Sequence, residues 1–112
     1  MAHSLSARKR VRQNLKKRLR NKGIKSTVRG QIKNLRTLLA QYTHLKTHKD
    51  EKAPAQAAAG SDAIPQVTQK QIQQELQKAY QILDKAYSSG IFHRNKTSRL
   101  KSRLASAVNK VI

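Results

Sequence analysis

Residues 68–90 read TQKQIQQELQKAYQILDKAYSSG, and this stretch decides the fold class. The apolar positions Ile72, Leu76, Ala79, Tyr80, Leu83, Ala86 and Tyr87 form a stripe along it. The steps between them are those of one face of an α-helix. Thr68 suits the N-cap, and Gln71 three residues on can reach back to it as a capping box. Gly90, after Ser88 and Ser89, suits the residue just past the helix end. The reading is a helix closed at both ends, with a stripe that other elements must cover.

The neighbours supply that cover. A third helix is expected to start between His93 and Asn95, carrying Leu100, Leu104, Ala107, Val108 and Val111. Upstream, Val28, Ile32, Leu35, Leu39, Tyr42 and Leu45 follow steps of 4, 3, 4, 3 and 3. Before them Val11, Leu15, Leu19 and Ile24 follow steps of 4, 4 and 5, a narrower stripe. No proline precedes Pro54, and Ser4 and Ser6 are both candidate N-caps. Gly23 and Gly30 each weaken a helix by about 1 kcal/mol relative to Ala. One helix from about Ser6 to about Lys46 is still the simplest reading, roughly 60 Å long. The expected fold is all-α: a three-helix up-down-up bundle with a very long basic N-terminal helix. Residues 1–112 are read as one domain. It comprises the long helix over 1–49, a flexible linker or insertion over 50–67, and a helical hairpin over 68–112. The linker holds the Ala-rich run around Pro54 and Gly60 and closes near Pro65. All three tyrosines, Tyr42, Tyr80 and Tyr87, fall on the predicted core stripes.

Charge narrows the function. The chain has 112 residues, with 25 Lys and Arg against 5 Asp and Glu, a net charge of +20. No acid occurs from Met1 to Lys49, and none follows Asp84. Two basic segments therefore flank a nearly neutral one, where a surface built only for solubility mixes its signs. Such a chain repels itself unless a polyanion neutralises it, so no homo-oligomer is expected. The C-terminal half of the first helix has a stripe wide enough to join a bundle. The N-terminal half has few apolar residues and is expected to project, and to become rigid on a polyanion.

Other classes fall away. There is no cysteine, hence no disulfide, thiol nucleophile or Cys-based zinc site. No apolar run approaches the roughly 18 residues of a membrane span, and no apolar segment of the secretory type is present near Met1. No phosphate loop, catalytic carboxylate pair or Ser/His/Asp arrangement is visible, so no enzyme and no cofactor are expected. His44 and His48 stand four apart on a helix but lack a third ligand, so no metal is expected. Nucleic acid is the natural polyanion, because cations that release phosphate counterions bind without reading sequence. Ser6, Gln13, Asn14, Asn21, Ser26, Asn95 and Ser102 are interleaved and suited to phosphate, ribose or base edges. Aromatic stacking platforms are missing, which disfavours single strands and favours docking on folded RNA. A histone-like DNA-compacting protein is the alternative, and a membrane-active basic helix a more distant one.

Two signatures add a resemblance. Residues 1–12, MAHSLSARKRVR, with Arg18-Leu19-Arg20-Asn21, Lys25-Ser26 and Arg29, resemble the start of the bacterial small-subunit ribosomal protein number twenty family. Residues 90–104, GIFHRNKTSRLKSRL, resemble that family's C-terminal signature. The resemblance implies a non-catalytic structural constituent of the small ribosomal subunit. It implies partners in small-subunit ribosomal RNA and other subunit components, and a place on the ribosome, in the cytoplasm or in a plastid. Carried over by position, it implies RNA contacts at Ser6, Lys9, Arg10, Arg12, Arg18, Arg20, Asn21, Lys25, Ser26 and Arg29. On the third helix it implies contacts at His93, Asn95, Lys96, Arg99, Ser102 and Arg103. For His93 a role in starting the helix stands beside phosphate donation. Leu5 and Gly30 depart from the family pattern. Residues 50–66 look like an insertion similar to the loops of cyanobacterial and plastid-type members.

Overall fold

The computed structural model describes residues 3–50 and 67–112, with three helices and no strand among them. Helix α1 spans Leu5–Asp50, α2 spans Gln69–Ser88 and α3 spans Arg94–Val111. The 46 residues of α1 amount to roughly 69 Å at 1.5 Å per residue, and the molecule is 78 Å in its longest dimension.

Each helix starts and stops where local chemistry dictates. Ser4, not Ser6, caps α1: its Oγ accepts from the Ala7 amide at 3.1 Å. The capping box of α2 forms, with the Thr68 amide donating to Gln71 Oε1 at 3.0 Å. Gly90 adopts φ 69°, a left-handed conformation that a residue with a Cβ disfavours. There the Ile91 amide donates to the Ala86 carbonyl and the Gly90 amide to the Tyr87 carbonyl, the paired bonds of a Schellman turn. At α3, His93 Nδ1 accepts from the Asn95 amide at 3.2 Å.

Side-chain bonds set the directions. Gln31 Nε2 donates to Glu75 Oε2, and Gln69 Nε2 donates to the Tyr42 hydroxyl, so α2 runs antiparallel to α1. Lys101 pairs with Asp84 at 2.6 Å, consistent with the short turn returning α3 antiparallel to α2. Lys46 Nζ donates to the Val111 carbonyl, so α1 and α3 end side by side. The result is an up-down-up bundle.

The core is aliphatic and thin. Val28, Leu35 and Leu39 of α1 meet Ile72, Ala79, Leu83 and Ala86 of α2, and Leu104 and Val108 of α3. Val67 and Phe92 complete it from the helix-flanking positions. Val67 closes the range read as linker, yet it is buried: it precedes the N-cap, and Ile72 stands at the fourth helical position, the arrangement of a hydrophobic staple. The rest of that range, from Glu51 to Gln66, lies outside the described residues. Of the three tyrosines only Tyr42 packs against the core; Tyr80 is half-buried with Lys101 over its ring, and Tyr87 is 50% exposed. Tyr87 sits in the last turn of α2, beside the Schellman turn, where Ile91 and Phe92 fold back over Ala86 instead.

Candidate nucleic-acid interface

From Arg8 to Gly23 every residue of α1 is exposed. This arm leaves the bundle because its sequence offers no stripe on the side that α2 and α3 cover. Val28, Leu35 and Leu39 hold that side in the bundle, and their helical register continues into the arm as Asn21, Lys17, Arg10 and Ser6. Among the described residues, no cation between Arg8 and Arg36 forms an ion pair with a carboxylate. The arm is thus a rod of unneutralised positive charge, raising the local concentration of any polyanion.

All sixteen residues implied as contacts are exposed. Arg18, Asn21, Lys25, Ser26 and Arg29 line one shallow groove along α1, shared with Asn14, Lys17 and Lys22. Lys9 and Arg12 line another with Leu5, Gln13 and Lys16. A third groove joins two helices, with Arg29, Lys33 and Arg36 of α1 facing Leu100 of α3. Since α1 and α3 are parallel, the residues before Leu100 lie at the end of the bundle from which the arm departs. His93, Asn95, Lys96 and Arg99 therefore come near the root of the arm, and Arg29 is the α1 contact nearest to them. Ser6 to Arg20 extend away from α3.

Local bonds decide which α3 cations remain available. Lys101 is tied down, paired with Asp84 and lying 5.4 Å over the Tyr80 ring. Lys96 sits 4.3 Å over the Phe92 ring, which orients its ammonium without neutralising it. His93 spends Nδ1 on the cap, so Nε2–H is the atom left to donate outward. Thr97 is buried and satisfied, its Oγ1 donating to the His93 carbonyl. Lys33 and Arg36 were not among the implied contacts. Their spacing after Arg29, four and then three residues, is the signal that places all three on one face.

Among the described residues no cluster of three His, Asp or Glu is arranged to hold a metal. No helix there is long and apolar enough to cross a membrane. The arrangement can engage an extended anionic partner along α1 and beside the start of α3.

Comparison with known proteins gives a consistent result. A family model described as ribosomal protein S20 matches residues 2–109. The small ribosomal subunit protein bS20 of Geobacter metallireducens is 37% identical over 109 residues, covering 97% of each chain. That of Nitrosomonas eutropha is 35% identical over 108 residues, covering 96% of this chain and 95% of its own. That of a Synechococcus strain is 34% identical over 112 residues, covering all of this chain and 96% of its own.

Proposed function

The chain belongs to the ribosomal protein S20 family, and from that membership we propose that it binds small-subunit ribosomal RNA directly, through the arm and the start of α3. It serves the small ribosomal subunit as a structural component and not as an enzyme. The observation that carries the RNA reading is the state of the charge: among the described residues the cations from Arg8 to Arg36 have no carboxylate partner, and all sixteen implied contacts are open to solvent.

The mechanism follows from that charge. Each cation that meets a phosphate releases counterions, so binding is strong and falls steeply with salt. Arginine adds bidentate grip on phosphate, and Asn21, Ser26, Asn95 and Ser102 add neutral hydrogen bonds to phosphate or ribose. The bundle needs no polyanion for its core, so it anchors the arm. The arm neutralises RNA segments that crowd together and stabilises their folded form during assembly. Other subunit components are partners through the RNA, and self-association is opposed by the net charge.

Sedimentation of a tagged copy in lysate tests the reading. The protein is expected to travel with small subunits in magnesium and to be released when magnesium is stripped. Purified protein is expected to prefer folded small-subunit ribosomal RNA over duplex DNA at equal salt. Equal competition by duplex DNA would replace this reading with DNA compaction.

A further inference from the structure

Helix α1 carries apolar residues on two faces, and the bundle uses one of them. Val11, Leu15 and Leu19 form a row at i, i+4 and i+8, exposed by 49, 55 and 69%. At 3.6 residues per turn this row lies roughly 150° around the axis from Val28, Leu35 and Leu39. The five-residue step from Leu19 to Ile24 makes the switch. The row is not a frayed end of the core stripe, and no other described element covers it. Arg8 and Arg12 flank it on one side, Arg18 and Lys22 on the other.

We propose that this row is a ribose-facing seat. The arm lies in an RNA groove with Val11, Leu15 and Leu19 against sugar faces, while the flanking cations take phosphates on both strands. This rests on the RNA reading above and adds which face of the arm meets which part of the RNA. Charge complementarity selects the occupant: a surface that covers the row must be apolar along its centre and anionic at both rims. The minor groove of an RNA helix is wide and shallow and displays its sugars between two phosphate chains. A second copy of this chain brings the same net charge of +20 to the contact. A bilayer suits a broad apolar face, whereas this row is one side chain wide, lacks Trp and Phe, and has Lys9, Lys16 and Lys17 on the remaining sides.

The test compares two full-length variants on in-vitro transcribed small-subunit ribosomal RNA folded in magnesium. The triple variant Val11→Gln, Leu15→Gln, Leu19→Gln keeps the charge and uses a good helix former. Its affinity is expected to fall about tenfold or more with the salt slope unchanged, because apolar contact is lost and phosphate contacts are kept. Hydroxyl-radical protection of riboses is expected to disappear from one patch. The paired variant Arg18→Gln, Lys22→Gln is expected to flatten the slope of log K against log salt by about 1.5. Wild-type affinity and ribose protection in the triple variant overturn the seat while leaving RNA binding intact. Dimerisation in sedimentation equilibrium, or binding to phosphatidylglycerol vesicles, that the triple variant alone abolishes with RNA affinity intact also overturns it. Failure of the wild type to prefer this RNA over duplex DNA removes the functional reading itself.

Discussion

In the bundle half of α1, Val28, Leu35 and Leu39 face α2 and α3 and are buried. In the arm half, the same register holds Asn21, Lys17, Arg10 and Ser6, all exposed, and the apolar residues have moved to the other side. One uninterrupted helix thus carries two surface programmes. Only the second half of the helix is held by packing, because only there does the stripe find a partner. The arm contributes almost nothing to folding, and so its residues are free to be chosen for binding. Stability and binding are separable by position along a single element.

The largest effect that tests this separation is in the core. Leu35, fully buried, should cost about 3 kcal/mol on Leu35→Ala. Leu19→Ala in the arm should stay within about 0.5 kcal/mol. Urea denaturation followed by circular dichroism reads both, and equal losses would break the comparison. A smaller effect is expected at the turn that brings α3 back. An Ala side chain at Gly90 meets open space, so only the left-handed backbone is penalised, by about 1 kcal/mol. Melting of Gly90→Ala should shift accordingly while the salt slope of RNA binding holds.

The smallest effect concerns Glu75, the carboxylate joining α2 to α1. Hydrogen bonds from Lys78 first and Gln31 second hold its carboxyl below the ordinary carboxylate range, against a smaller opposing effect of burial. Its folded pKa is therefore below its unfolded one. The stabilisation is present above the unfolded value and is lost as pH falls through the folded one. Glu75→Gln should flatten the pH dependence of stability below about pH 4.5 and change little at neutral pH. An unchanged acid limb in urea titrations would mean that the Gln31 and Lys78 bonds do not discriminate the ionised form.

Much of this was legible because the signals were local. The stripe and capping box of α2, the left-handed Gly90 and the start of α3 at His93 each follow from residues within a few positions of one another. The charge segregation that marks the arm needed only counting. Phe92 and Val67 escaped because neither belongs to a helical stripe. Each is placed by a cap, the Schellman turn for Phe92 and the staple position for Val67, and both motifs have hydrophobic signatures that stripe-reading overlooks. Tyr87 fitted the stripe but lost its place to residues folding back from the turn. At the interface, exposure of the implied contacts was foreseeable from the absence of acids. The joining of Arg29, Lys33 and Arg36 with α3 was not, since it depends on how far α3 is offset along α1. The face switch was written in the five-residue step between Leu19 and Ile24, where an irregular interval marks a change of side instead of a weak helix.

The continuity of α1 has a metric consequence. From Arg8 to Arg36 the axis advances roughly 42 Å, set by the hydrogen-bond ladder and not by side-chain choice. A partner gripped at both points has that separation imposed on it. The helix then works as a ruler, accepting only arrangements in which two distant anionic segments stand one fixed interval apart.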